Sequence, residues 1–199
     1  MIRNKKFVNT LFIILITLLL STFIAFSALQ TTLNITVNKT TQNALTWNIG
    51  FITGTIEGTA TGTNTSLMSC GSGTATATTI SGIKVKLANK GDYCSYTFKI
   101  QNTGNIAGKI SSISVTKPSG VTCSVTDSTM VCGNITYKLH YDTATSTTLV
   151  KANDTIAAKS GSTATTKTIV LTAEYTGTNL SEEDFSQSGF AYTINYTQN

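Results

Sequence analysis

Few side chains in this sequence are of the types that perform catalysis. The chain has a single histidine, His140, and nine acidic residues among 199. The acidic run Glu182-Glu183-Asp184 is typical of a solvated turn. The other acids are scattered over predicted turns and strand ends: Glu57, Asp92, Asp127, Asp142, Asp154 and Glu174. Acid–base or nucleophilic catalysis needs two such groups held together, and no recognisable pair occurs. The sequence predicts a protein that is not an enzyme.

Recognisable motifs for metal ions, phosphates and nucleic acid are missing too. Asp92 and Asp127 could contact Ca²⁺ from loops, but the chain has no DxDxDG-type calcium loop. No glycine-rich motif follows a strand and opens a helix. Basic residues cluster at Arg3, Lys5 and Lys6, and without them eleven of the fourteen basic residues stand against nine acids. We therefore predict no cofactor, no small-molecule substrate and no nucleic-acid partner.

The four cysteines indicate a disulfide framework. Cys70, Cys94, Cys123 and Cys132 contain no CxxC spacing of the kind used for zinc or redox work. Three connectivities are possible. Cys123 and Cys132 flank a segment that reads as a hairpin, which favours that pair and leaves Cys70 with Cys94. Disulfides persist in oxidising compartments, so the prediction is of an exported protein.

The first 28 residues have the layout of a secretory signal. A basic start is followed by an apolar run over Phe7–Leu20 and a stretch of mostly small residues. Cleavage would leave residues 29–199 as one exported domain. If the segment is retained, Phe7–Leu29 is about 23 residues, long enough for a helix that spans a bilayer once. The chain is then either released or held as a single-pass anchored protein.

The stretch Gly82–Thr116 predicts the fold class. Apolar and polar residues alternate through Ile83–Leu87 and again through Tyr93–Gln101, with turn residues between them, which is typical of strands with one buried face. We expect an antiparallel meander here. Further strands are predicted at 45–52, 55–60, 74–79, 121–125, 135–141, 147–151, 155–157, 166–176 and 190–197. This spacing predicts an all-β, two-sheet antiparallel β-sandwich of jelly-roll or Ig-like type, preceded by a hydrophobic helix.

Three finer predictions follow from the same patterns. Trp47, the one tryptophan, is expected to anchor the core. His140 alternates with apolar neighbours and is expected on the polar surface face. Residues 179–185 are expected to form one helical turn with Ser181 as its cap.

The strand nearest the signal is a candidate for exchange between copies. Leu33, Ile35 and Val37 alternate with polar residues and form one apolar face. Such a strand could add to the open sheet edge of a neighbouring molecule. It could equally pair within its own domain, and the sequence leaves both possibilities open.

A longer motif carries a family resemblance. Residues 91–110, GDYCSYTFKIQNTGNIAGKI, together with the N-terminal layout, resemble the TasA and camelysin family of exported bacterial proteins. The resemblance implies a jelly-roll-like sandwich. It also implies surface or biofilm-matrix fibres in which the N-terminal segment of one subunit completes the sandwich of the next. The four cysteines and the shorter chain depart from TasA.

These observations predict an exported, non-enzymatic structural protein of the cell surface or biofilm matrix. Its principal partner would be itself, in a homopolymer built by donation of the Leu33–Val37 strand. The alternative is an extracellular binding or adhesion module held in the membrane by an uncleaved N-terminus. In that case loops such as Gly62–Gly73 would recognise the ligand.

Overall fold

A computed structural model of the chain describes residues 44–63, 65–177, 183–184 and 190–199. The predicted leader, the candidate donor strand with Leu33, Ile35 and Val37, and most of the predicted helical turn lie outside these residues. Within them the chain is all-β, and its one helical element is a 3₁₀ turn at Thr65–Leu67. The all-β prediction is confirmed for the described part of the chain.

Strands are numbered here in chain order. They are Ile49–Phe51 (β1), Gly54–Ile56 (β2), Gly58–Thr61 (β3), Ser69–Gly71 (β4), Gly73–Ala75 (β5), Thr79–Ser81 (β6), Lys84–Leu87 (β7), Tyr93–Asn102 (β8), Gly108–Thr116 (β9), Cys123–Thr126 (β10), Thr129–Cys132 (β11), Ile135–Tyr141 (β12), Thr155–Ile156 (β13), Thr165–Tyr175 (β14), Glu183–Asp184 (β15) and Ala191–Gln198 (β16).

The described strands form three antiparallel sheets. A seven-stranded sheet has the order β1-β8-β14-β12-β11-β10, and β3 pairs with β8 on the same side as β1. A six-stranded sheet has the order β13-β9-β16-β6-β5-β2, and a third, small sheet has the order β15-β7-β4. The longest pairing joins β14 to β8 over ten residue pairs, so the centre of the largest sheet is built from strands far apart in sequence.

The predicted meander over Gly82–Thr116 is wrong. Its three strands β7, β8 and β9 exist, but each lies in a different sheet. The chain leaves β8 for another sheet at Asn102, whose buried amide donates to the carbonyl oxygens of Ile106 at 2.8 Å and Ala157 at 3.0 Å. Its Oδ1 accepts from Gly104 N at 2.8 Å. These bonds fix a loop where the sequence pattern had suggested a hairpin turn.

One hydrophobic core collects side chains from the three sheets. The seven-stranded sheet contributes fully buried residues such as Tyr96, Ile100 and Leu171, and the six-stranded sheet contributes Ile80 and Ile110. Strand β8 alternates buried and more exposed positions along its whole length, whereas β14, in the middle of the seven-stranded sheet, is buried continuously over residues 169–173. Burial of these apolar residues provides the main stabilising free energy.

Several local predictions are corrected. Trp47 is 38% exposed and Leu45 is 80% exposed, and the first strand begins only at Ile49. The strand predicted at 147–151 is reduced to a single bridge between Leu149 and His140. Glu183–Asp184 pairs with β7 as a strand, so these two residues are not part of a helical turn.

Candidate functional site

The four cysteines form the two disulfides that the sequence favoured. Cys70 on β4 is bonded to Cys94 on β8, and Cys123 is bonded to Cys132 across the β10–β11 hairpin. The first bond ties the small third sheet to the seven-stranded sheet. Since these are all the cysteines of the chain, they have a structural role and indicate an oxidising compartment.

Asp92, a candidate calcium contact, is used to hold two loops. Its buried carboxylate accepts hydrogen bonds from Thr63 N at 3.0 Å and from Asn89 N at 2.8 Å. The side chains of both residues donate weaker bonds to the same group. In the part of the chain that the structure describes, no cluster of three or more His, Cys, Asp or Glu side chains could hold a metal ion.

His140 is buried, contrary to the surface position predicted for it. Its side chain is 2% exposed, and Nε2 lies 2.7 Å from Thr172 Oγ1. It does stand on the outer face of the seven-stranded sheet, but residues 144–149 fold back over that face. Strand periodicity gives the face of a residue and says nothing about a loop that covers it. The partner of this histidine could not be read from the sequence.

The histidine and Thr172 do not form a catalytic triad. His140 Nδ1 is buried and no described carboxylate bonds to it, whereas a catalytic histidine is oriented by a carboxylate on that nitrogen. Thr172 is itself 7% exposed. Burial lowers the pKa of His140, and Lys138 acts in the same direction, whereas backbone groups of Tyr141 and Thr143 raise it. The imidazole is therefore neutral near pH 7.

This lowered pKa predicts a loss of stability in mild acid. The unfolded histidine takes up a proton near pH 6.5 while the folded one does not, so the free energy of unfolding falls as the pH drops from 7 towards the folded pKa. The slope is at most about 1.4 kcal/mol per pH unit. His140→Gln removes the only histidine. In this variant the free energy of unfolding, measured with urea, should depend less on pH between pH 7 and pH 5.5. An unchanged slope in the variant would contradict the prediction.

A cleft of about 470 Å³ lies between the outer sheet face and residues 144–149. Tyr93, Thr172 and an ion pair of Lys138 Nζ with Glu174 Oε2 at 3.8 Å line one side. Residues Thr145, Ser146 and Thr147 line the other. The cleft presents hydrogen-bond donors and acceptors without net charge. The stretch Gly62–Gly73, predicted as a ligand loop of an anchored module, contains the 3₁₀ turn and β4.

The NTGN motif at 102–105 holds the beginning of the described chain. Asn105 N donates to Thr46 O at 2.9 Å, Asn105 Oδ1 accepts from Thr46 N at 2.7 Å, and Asn105 Nδ2 donates to Ala44 O at 3.0 Å. A side chain at Gly104 would collide with the carbonyl oxygen of Thr46. The motif is therefore a docking site for residues 44–48, which follow the candidate donor strand in the sequence.

An open sheet edge is the second feature relevant to assembly. On the side away from β16, strand β9 is paired only near its start, where β13 meets Gly108 and Lys109, and Asn153 and Asp154 bond to Ile110. Among the described residues nothing pairs with residues 111–116 on that side. The unpaired N–H and C=O groups of such an edge can form hydrogen bonds with another strand.

Comparison with family models, with curated proteins and with solved structures finds no match. The junction at Asn105, the β9 edge and the cleft are therefore interpreted from their own chemistry. The sequence singled out the NTGN motif but gave no sign of the open edge or the cleft.

In the described ranges no helix has the length and apolar character needed to cross a membrane. The predicted leader at 1–28 and the donor residues Leu33, Ile35 and Val37 precede those ranges.

Proposed function

We propose that the chain is an exported, non-enzymatic structural protein of the cell surface or biofilm matrix. Its copies assemble when the Leu33–Val37 strand of one molecule adds to a sheet of the next. The observation that carries the proposal is the edge of β9 at residues 111–116, which no described strand pairs on the side away from β16. Assembly by strand addition needs a strand to donate, which the sequence predicts at Leu33–Val37, and an edge to receive it.

Three further observations support the proposal. The two disulfides are typical of an exported domain that has to stay folded in an oxidising environment outside the cell. The two large sheets around one core suit a jelly-roll or Ig-like sandwich. The motif at 91–110 resembles that of the TasA and camelysin family, whose members form fibres.

Substitution of Ile35 by lysine is expected to prevent assembly. A charged side chain in the centre of an apolar strand face cannot be buried against a neighbour without a large desolvation cost. Leu45→Lys is the matched control, because Leu45 is 80% exposed and lies outside the strand. Sedimentation velocity of the purified exported chain should show multimers for the unsubstituted protein and for Leu45→Lys, and monomers for Ile35→Lys. Multimers that survive Ile35→Lys would contradict strand donation.

A second candidate function is an anchored binding module. The cleft with Tyr93, Lys138 and Glu174 favours it, because paired donors and acceptors beside an aromatic ring suit a small, uncharged, polar ligand. This reading requires that the leader is retained. N-terminal sequencing of the exported protein separates the two: a start near Ala28 favours a released subunit, and a start at Met1 favours an anchored module.

A further inference from the structure

We propose that the cleft beside residues 144–149 binds the neutral hexose units of a polysaccharide. The inference rests on the second candidate function, whose cleft it uses, and it names the chemical class of the ligand. It holds whether or not copies assemble and whether or not the leader is retained. The floor of the cleft, its charge balance and the polar rows that continue from it carry the inference.

The floor of the cleft is built from three neighbouring strands of the seven-stranded sheet, β8, β14 and β12. Tyr93 of β8 lies opposite Glu174 of β14, and Thr172 of β14 lies opposite Lys138 of β12. Tyr93, Glu174 and Lys138 are partly exposed, whereas Thr172 is buried. The sheet therefore holds an aromatic ring, a hydrogen-bond acceptor and a donor side by side.

The ion pair in the floor leaves most of its hydrogen-bonding capacity free for a ligand. Lys138 Nζ and Glu174 Oε2 are 3.8 Å apart, which is too far for a hydrogen bond. An ammonium group has several donors, and a carboxylate has several acceptor positions. Two adjacent hydroxyl groups of a sugar could each bond to one member of this pair. Such charge-assisted bonds are stronger than those between neutral groups.

The charge balance of the cleft disfavours charged ligands. Among the described residues that line it, Lys138 and Glu174 are the ones that are charged near pH 7, and their charges cancel. His140 lies in the floor but is 2% exposed and neutral. A phosphate or carboxylate would meet the Glu174 carboxylate with no unpaired cation to compensate. A neutral ligand is therefore favoured.

A hexose combines the two kinds of surface that the cleft presents. Its ring has an apolar C–H face that can pack on an aromatic ring such as that of Tyr93, and its hydroxyl groups lie around the edge. The opposite wall consists of Thr145, Ser146 and Thr147, whose side chains all carry a hydroxyl group. The cleft volume of about 470 Å³ falls within the usual range of small-molecule sites, roughly 300–1,000 Å³.

A peptide is a less suitable neutral ligand. Extended peptides bind by main-chain hydrogen bonds to a free sheet edge, and helical peptides bind in apolar grooves. The floor of this cleft is the face of a sheet, and the backbone groups of β14 are paired with β8 on one side and with β12 on the other. Side chains rather than backbone groups must therefore make the contacts, as is usual for sugars.

The wall at residues 144–149 is fixed by backbone hydrogen bonds to β12. Tyr141 N donates to Thr148 O, and Val150 N donates to Leu139 O, each at 3.0 Å. These bonds close the loop across its base. A site that is formed in advance loses less conformational entropy when it binds.

Two rows of polar residues continue from the cleft across β8 to β3. Tyr93 lies opposite Thr61, and Ser95, the neighbour of Thr172 in the sheet, lies opposite Thr59. Both threonines of β3 are exposed. Neighbouring strands are about 4.8 Å apart, which is close to the length of one hexose unit in a polysaccharide. The face can therefore contact successive units, so a polysaccharide fits it better than a free sugar.

Isothermal titration calorimetry of the purified exported chain with defined trisaccharides tests the inference. The neutral probes are cellotriose, laminaritriose, maltotriose, mannotriose and chitotriose, and the anionic probe is trigalacturonic acid. At least one neutral trisaccharide is expected to bind with a Kd of about 0.1–1 mM, and the anionic one at least about tenfold more weakly. If no neutral trisaccharide binds at concentrations up to about 10 mM, the inference is wrong.

Substitutions in the cleft separate recognition from a structural effect. Glu174→Lys removes the acceptor and makes the cleft cationic, so it should bind trigalacturonic acid more tightly than the neutral probes. Tyr93→Ala should weaken neutral binding about tenfold, whereas Tyr93→Phe keeps the ring and should stay within about threefold. Trp47→Ala is the matched control, because Trp47 is also an accessible aromatic residue but does not line the cleft. It should leave binding unchanged.

The remaining outcomes distinguish this inference from the proposed function. If Trp47→Ala weakens binding as much as Tyr93→Ala does, the sugar binds outside the cleft and the inference is overturned. If no neutral trisaccharide binds while sedimentation shows multimers, the inference fails and the structural subunit stands. If trisaccharides bind to a chain that forms no multimers, strand donation fails and the inference stands. Binding by a chain that starts near Ala28 supports the inference without membrane anchoring.

Discussion

Replacing Cys70 and Cys94 together by alanine is expected to lower the free energy of unfolding by about 3.5 kcal/mol. The bond closes a sequence separation of 24 residues, and the unfolded chain gains the corresponding freedom when it is lost. Cys94 is fully buried, so truncation also leaves a cavity. Urea unfolding of the exported chain, with and without the substitutions, measures the loss.

The second disulfide provides the matched control. Cys123 and Cys132 are 9 apart in sequence, and the same loop-length relation gives a loss of about 2.5 kcal/mol for Cys123→Ala with Cys132→Ala. That pair lies within a single hairpin, and the backbone pairing of β10 with β11 does not depend on the disulfide. An equal or larger loss at this hairpin would contradict the expectation that the disulfide closing the longer loop stabilises the chain more.

Asn102→Ala is expected to cost about 2–4 kcal/mol, because the fully buried side chain of Asn102 makes three hydrogen bonds to backbone groups, of which the Gly104 N–H is buried. These are the carbonyl oxygens of Ile106 and Ala157 and the N–H of Gly104. Asn102→Asp should be at least as destabilising, since a carboxylate keeps the shape but cannot donate to the two carbonyls. Urea unfolding at pH 7 measures both effects.

Asn195→Ala is the control for this prediction. Asn195 makes one side-chain bond, to Ser112 Oγ at an exposed site, and its loss should change stability by no more than about 0.5 kcal/mol. If Asn102→Asp retained the stability of the unsubstituted protein, the donated hydrogen bonds would not be what holds the crossing from β8 to β9.

The long strands could be predicted from the sequence, and their partners could not. The sequences of β8 and β16 alternate apolar and polar residues over eight or more positions, as β14 does from Thr168 to Tyr175 except at Val170, and that period is a local property of the chain. Which strands pair depends on where each loop sends the chain. The loop after β8 is fixed by Asn102, whose bond to Ala157, 55 residues further along the chain, has no local signature. The predicted meander failed for this reason.

The site predictions divide in the same way. The disulfide pairs followed from the hairpin between Cys123 and Cys132, which is a local feature. The burial of His140 depends on residues 144–149 folding over a sheet face. The exposure of Trp47 arises because residues 44–48 are held by Asn105 and Thr103 at the rim of the core. Long-range contacts decide both cases.

The NTGN motif, the β9 edge and the disulfides would have different roles in the proposed assembly. The NTGN motif binds residues 44–48, and residues 111–116 of β9 have no described partner on the side away from β16. One disulfide joins the third sheet to the seven-stranded sheet, and the other closes the β10–β11 hairpin. Each feature can be altered without changing the other two, so their contributions can be measured separately.

Electron microscopy of the concentrated, purified exported chain is the most direct test of the central claim that the protein is a self-assembling structural subunit. Filaments are expected for the unsubstituted chain. A uniform field of single, separate molecules at every concentration would contradict the claim.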